Sequence, residues 1–346
     1  MLEFRTKGYQ GYSVKYSPFF DNRLATAASA NFGLVGNGRL FILSLTPQGI
    51  IAEKWYDTKD ALYDTTWSET HENHLLASCG DGSVRLYDLA HDAFPIAAWT
   101  EHAREVFSVH WNLVAKSTFL SCSWDGCIKI YDPSNNQSLL SLPTHSCTYA
   151  AQWSPHEPSL LAGVTSDSMV HVFDVRAPGG GRAVVKWGNH SAAGGMGMPP
   201  GTNVAPAEVL CMDWNKYRPG VLATAGVDRV IRTWDYRMPG RPLAILPGHE
   251  FAVRKVTWSP HLPDVLLSAS YDMTCRIWED GTRGGVDGRP VDPMAFGGGR
   301  EVGRMGAHTE FATGVDWCLF GSEGWCASCA WDERVLVWDV RAFMRS

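Results

Sequence analysis

The stretch His102 to Asp132, HAREVFSVHWN…STFLSCSWDGCIKIYD, reads as three short strands in which apolar and polar residues alternate. A Trp-Asp-Gly turn sits between the second and third, and a Tyr-Asp pair closes the third. One sheet of this size cannot bury both of its faces alone, so it needs neighbours of the same kind.

The rest of the chain supplies them. Turn aspartates recur at Asp81, Asp125, Asp167, Asp228, Asp272 and Asp332. Seven residues after each (88 − 81 = 7, and likewise for the others) stands a second acid: Asp88, Asp132, Asp174, Asp235, Glu279 and Asp339. An aromatic precedes each closing acid: Tyr87, Tyr131, Phe173, Trp234, Trp278 and Trp338. A second ladder ends the first strand of each unit, at Tyr16, Trp67, Trp111, Trp153, Trp214, Trp258 and Trp317, which makes seven units. Three of the six spacings are 42 to 44 residues (111 − 67 = 44, 153 − 111 = 42, 258 − 214 = 44); the first is 51 (67 − 16), and two are longer, 61 and 59 (214 − 153, 317 − 258). Self-similarity at this period, with four strands per unit, predicts an all-β, seven-bladed β-propeller.

These residues resemble the WD-repeat family over nearly the whole chain. The aromatic-Asp pair and its spacing recur with an upstream histidine, at His102, His145, His249 and His308, lying 23, 22, 23 and 24 residues before the turn Asp. A buried relay from His to turn Asp, locking two loops of a blade, accounts for the recurrence better than metal ligation or base catalysis. Blade 1 is the least typical: Tyr12–Tyr16, Leu24–Ala28 and Asn37–Ile42 are its strands, and Ser44 replaces the closing acid. Blade 2 runs from Asp60 to about Trp99, blade 4 from His145 to Trp187, blade 5 from Glu208 to Leu246, blade 6 from His249 to Met305 and blade 7 from His308 onward. Blade 7 has too little chain after Asp339 for an outer strand, so Leu2–Arg5 is expected to supply it and close the ring. The chain thus forms one propeller over 1–346, with flexible glycine-rich insertions at 178–207 and 280–302.

Composition narrows the function. Net charge is −6, which speaks against a general nucleic-acid or anionic-membrane binder. The start, MLEFRTKGYQ, lacks the apolar core of a signal peptide, and no apolar run approaches the ~20 residues of a membrane span. Nine cysteines, mostly in strands, read as reduced thiols of a cytosolic protein. Cys326-Ala-Ser-Cys329 has redox or zinc spacing, but i and i+3 on a strand face opposite ways. His71-Glu-Asn-His74 lacks the four-residue helical spacing of a metal pair. The glycine runs lack the Lys-Ser/Thr of a phosphate loop. No catalytic group, cofactor or metal is expected, and the chain reads as a non-enzyme.

That leaves surfaces. The loops before each first strand, the starts of those strands and the turns before each turn Asp share one face. They carry Tyr12, Asp60, Tyr63, Glu105, Phe107, Trp124, Tyr149, Ser166, Glu208, Leu210, Arg254, Tyr271, Phe311 and Trp331. Aromatic anchors beside Asp60, Glu105 and Glu208 describe a surface for a basic, apolar peptide. Plugging of the central channel is the competing role for about half of the aromatics. The peptide-binding candidates are Asp60, Tyr63, Glu105, Phe107, Trp124, Tyr149, Glu208, Arg254, Tyr271, Phe311 and Trp331.

The segments HAREVFSVHW, SCSWDGCIKIYDP, AEVLCMDWNKY, GHEFAVRKVTWSP, SASYDMTCRIW and HTEFATGVDW resemble one branch of this family, the cytosolic receptors for the type 2 peroxisomal targeting signal (the seventh peroxin). The resemblance covers about residues 1–340, the two glycine-rich insertions being departures. It implies a non-enzymatic receptor for cargo proteins that carry an N-terminal Arg-Leu-x5-His-Leu signal, held as an amphipathic helix on the propeller face. It implies a co-receptor peroxin, a peroxisomal docking complex, and a protein that cycles between cytoplasm and peroxisome. The alternative is a substrate adaptor of a cullin-type ubiquitin ligase, suggested by the WDxR boxes Trp234–Arg237 and Trp338–Arg341 and by the near match Phe173–Arg176.

Overall fold

The computed structural model describes residues 1–34, 36–91, 94–177, 181–188, 206–281, 299–321 and 323–344. They form seven four-stranded antiparallel sheets. The inner strands are Gln10–Tyr16, Leu62–Trp67, Val106–Trp111, Thr148–Trp153, Val209–Trp214, Val253–Trp258 and Ala312–Trp317. Each packs on the next around the ring, and the last packs back on the first. The sheets are the blades of a β-propeller.

Six blades are built in sequence order from inner to outer strand, for example Val106–Trp111, Phe119–Ser123, Cys127–Tyr131 and Leu140–Pro143 in blade 3. Blade 7 is completed from the other end of the chain. Leu2–Arg5 lies antiparallel to Arg334–Val337, with Leu2 opposite Val337 and Arg5 opposite Arg334. Arg334 Nη2 donates to Glu3 Oε2 at 2.9 Å across this seam.

The ladder aromatics are buried between blades. Trp67 Nε1 donates to the Lys15 carbonyl of the preceding blade at 3.1 Å, and Trp214 Nε1 to that of Gln152 at 3.2 Å. In these two the ring seals an interface with apolar area and its one donor pins the neighbour's backbone.

The histidine relay forms in three blades. His102, His249 and His308 each bond a turn aspartate through Nδ1 (Asp125 2.8 Å, Asp272 2.7 Å, Asp332 3.0 Å). Through Nε2 they bond Ser121, Ser268 and Ser328 at 2.8, 2.6 and 2.8 Å. In blades 6 and 7 the serine also accepts from the closing tryptophan, Trp278 or Trp338. His145 departs from the expectation. It is exposed in a left-handed conformation (φ 64°), and Thr144 and Thr148 bond each other at 2.7 Å in its place. Asp167 accepts instead from the Thr165 hydroxyl.

The two insertions are narrower than 178–207 and 280–302. Val185–Gly188 is the outer strand of blade 4, and Arg300–Met305 that of blade 6. Asp280 is buried and paired with Arg218 at 2.5 Å. The stretches 189–205 and 282–298 lie outside the described residues. Cys326 and Cys329 point to opposite faces of their strand, into separate apolar clusters. No helix among the described residues is long and apolar enough to cross a membrane, and no group of three or more His, Cys, Asp or Glu among them is placed to hold a metal.

Candidate peptide-binding face

A break in register recurs in every inner strand and builds this face. Pairing with the second strand skips one residue per blade: Tyr12, Tyr63, Phe107, Tyr149, Leu210, Arg254 and Thr313. A bulge of this kind leaves a residue unpaired and re-aims its side chain. Six of the seven bulged residues are large, and together they crowd one mouth of the central channel. Around Tyr12, Tyr63, Phe107, Tyr149, Leu210 and Arg254 only about 10 Å³ of open volume remains. Tyr12, Leu210 and Arg254 are buried and act as the plug; Tyr63, Phe107 and Tyr149 are half-buried and present ring surface above it. Blade 7 breaks the aromatic series: its bulge residue is Thr313, buried with its hydroxyl on the Gly11 carbonyl at 2.6 Å. Phe311 reaches the face from the loop ahead of that strand.

The turn residues complete an arc. Trp124 stacks on Phe107 (4.5 Å between centroids) and Phe107 on Tyr63 (4.4 Å). Tyr149 meets Phe107 edge-on at 5.8 Å, and Tyr63 meets Tyr12 at 5.3 Å. Trp331 lies 5.8 Å from Tyr12 and 5.2 Å from Phe311, which stacks on Tyr271 at 4.8 Å. The rings thus run without interruption from Tyr149 to Tyr271. One further ring, Phe32 of blade 1, stands 5.3 Å from Trp331. It was not among the sequence candidates, because blade 1 has no turn aspartate by which to find it. Ser166 is half-buried in blade 4's turn, outside the ring contacts.

Acids flank the arc at two places. Burial, and after it the charges of Glu105 and Asp60, push the Tyr63 hydroxyl up to about 12. At the other end the Tyr149 hydroxyl donates to Glu208 Oε2 at 3.0 Å. Arg254 lies between, its guanidinium 6.0 Å from the Phe107 ring.

The opposite mouth has another character. A cavity of about 140 Å³ is lined by lysines and aspartates in pairs. Lys15 and Asp316 stand 3.0 Å apart, Lys216 and Asp213 2.8 Å, and Lys255 and Asp64 3.9 Å. Burial and the nearby Lys216 and Lys15 push His110 down to about 3, so it stays neutral there. On this side the WDxR arginines fold back on their own blades: Arg237 Nη2 donates to Asp235 at 2.6 Å and Arg341 Nη2 to Asp339 at 2.6 Å.

The WD domain, G-beta repeat family matches residues 59–88, 94–132, 136–174 and 240–279. The peroxisomal targeting signal 2 receptor of Saccharomyces cerevisiae is 41% identical, over 98% of this chain and 99% of that protein. The chain belongs to the peroxisomal targeting signal 2 receptor family. The protein of that name from Komagataella phaffii is 39% identical over 99% of both chains, and that from Schizosaccharomyces pombe 34% identical over 98% of this chain and all of that protein. These matches favour the receptor family over a ligase adaptor, and place the chain's role in relation to the peroxisome. They span the whole ring, so the seven blades and the closing strand are within the shared length.

Proposed function

We propose that this protein is a cargo receptor that binds the type 2 peroxisomal targeting signal on its aromatic face and carries out no chemical step. The observation that carries this reading is the unbroken arc of rings from Tyr149 to Tyr271 with acids beside it. The signal is a short amphipathic helix with a cation near its start and a histidine seven residues on. At ~1.5 Å per residue these stand about 10 Å apart on one side of the helix. Asp60 and Glu105 form one acidic pole and Glu208 the other, and the rings between them suit the leucines. A co-receptor peroxin completes the clamp, the docking complex receives the loaded pair, and the receptor cycles between cytoplasm and peroxisome.

The test is fluorescence anisotropy with a labelled nonapeptide of the form Arg-Leu-x5-His-Leu. Saturable binding, abolished when the peptide's Arg and His are both alanine, is expected. A protein that leaves the free peptide's anisotropy unchanged, with and without co-receptor present, would remove this function.

A further inference from the structure

The turn that carries Phe32 differs from its counterparts in the other blades. Asn31 (φ 51°), Phe32 (φ 57°) and Gly33 (φ 70°) follow one another in the left-handed region. Glycine adopts this conformation freely and asparagine tolerates it, whereas an aromatic residue does so only under constraint. The constraint comes from outside the turn. The Phe32 amide donates to Gln10 Oε1 at 2.9 Å, and the Phe32 carbonyl accepts from the Tyr12 hydroxyl at 2.7 Å. Gln10 Nε2 in turn donates to Glu333 Oε1 at 3.4 Å, and Glu333 Oε2 accepts from the Gly8 amide at 2.9 Å. Gly33 suits the third left-handed position, and a Cβ there would also stand a tight 3.0 Å from the Tyr12 hydroxyl.

This bracing does not serve burial. Phe32 remains 48% exposed, with one face toward Trp331 and the other open. A turn held in a disfavoured conformation that leaves its aromatic ring half in solvent points to a contact made by something else. Phe32, Trp331 and Tyr12 form an aromatic corner partway along the arc, where Tyr12 touches Tyr63, the ring beside Asp60 and Glu105. Glu208 is at the far end, beyond Phe107 and Tyr149.

We propose that Phe32 is a specificity-determining residue: its corner takes the branched aliphatic side chain that follows the signal's first cation. This rests on the receptor function proposed above. On a helix, successive side chains emerge about 100° apart, so a leucine next to a cation held at the Asp60–Glu105 pole points to the flank of that pole, where the corner lies. Closing an aliphatic chain against three rings removes the remaining exposed face of Phe32 from water.

The test uses the full chain and two labelled nonapeptides, one with Leu and one with Ala after the Arg. Phe32→Ala should weaken the Leu peptide about tenfold and the Ala peptide less than about twofold, with the melting temperature unchanged, because the ring is a surface anchor. Phe32→Leu should retain most of the affinity. Gln10→Ala, which removes the acceptor that holds the Phe32 amide, should weaken the same peptide to a lesser degree. Equal weakening of both peptides by Phe32→Ala would overturn the pairing with that leucine. Wild-type affinity of Phe32→Ala, alongside a weakened Glu105→Ala, would overturn the role of the corner and leave the face intact. Wild-type affinity in Phe32→Ala, Glu105→Ala and Glu208→Ala together would overturn the function on which the corner depends.

Discussion

Glu105 and Glu208 stand at the starts of inner strands in blades 3 and 5, outside the alternation that packs those strands. Losing one side of a partly desolvated charge pair costs about 2–5 kcal/mol, and tenfold in affinity is about 1.4 kcal/mol. Glu105→Ala and Glu208→Ala should therefore each weaken the signal peptide at least about tenfold while leaving the melting temperature nearly unchanged. Glu208 also accepts the Tyr149 hydroxyl, so Tyr149→Phe separates the loss of that bond from the loss of charge. A peptide with Glu in place of Arg should regain part of its affinity with Glu105→Lys or Asp60→Lys. The buried histidines give the opposite result. His249 lies between Asp272 and Ser268, and its removal takes one buried hydrogen-bond partner from each. His249→Ala should cost about 2–3 kcal/mol in urea unfolding, against less than about 0.5 for the exposed His145→Ala. Acid should act at the same relay. Burial holds His249 below its ordinary value of 6.5, so stability falls as pH drops below that value. Burial would raise the Asp272 carboxyl, but the His249 bond and charge hold it below the usual range. Its contribution is therefore present above the ordinary carboxylate range and is lost as pH falls beneath it. A melting temperature constant from pH 7 to pH 4 would count against the relay.

At the scale of strands, the closing strand has two duties. Leu2–Arg5 fills the open edge of blade 7, and the chain then runs through Gly8 and Gln10 directly into the brace beneath Phe32. Deleting residues 1–8 should lower the melting temperature of the whole protein and weaken the signal peptide as well. A truncated chain that melts with the full-length protein would show that the ring closes without that strand. Trimming 189–205 to a short Gly-Ser link should cost little, since loop closure depends weakly on length. A cut that also takes Val185–Gly188 should be costly, because Trp187 is buried there and the strand completes blade 4. These elements differ in how readable they were. The Trp ladder and the turn aspartates report burial and turn geometry, which act locally and repeat, so blade count, blade order and closure could be read from spacing. The bulges could be located by counting four residues back from the ladder, though alternation alone does not show that those residues leave the pairing. Phe32 could not be found, because its conformation depends on Gln10 and on Glu333, which is 323 residues further along the chain. His145 was misread because a matching residue type at a matching distance does not reveal a left-handed backbone.

The whole molecule presents two mouths with different electrostatics. At one, each lysine of the channel has an aspartate within reach, so the three cations and three anions cancel at short range. At the other, Asp60, Glu105 and Glu208 look onto aromatic surface, with Arg104 3.5 Å from Glu105 and Arg254 set deep beneath. The chain as a whole carries −6. A basic helix approaching such a particle is drawn to the mouth where Asp60, Glu105 and Glu208 outnumber Arg104 and Arg254, rather than to the one where the charges cancel. Screening shortens that attraction to about 10 Å at 0.1 M salt and about 3 Å at 1 M. The association rate of the signal peptide should therefore fall steeply from low to high salt, while dissociation, governed by the rings, changes little. Lys216→Ala at the far mouth should alter neither rate, because its charge is spent on Asp213 at the other end of the channel. Stopped-flow anisotropy at several salt concentrations measures both. A salt-independent association rate, or a Lys216→Ala variant whose association rate changes as much as that of Glu105→Ala, would move the binding site away from the aromatic face.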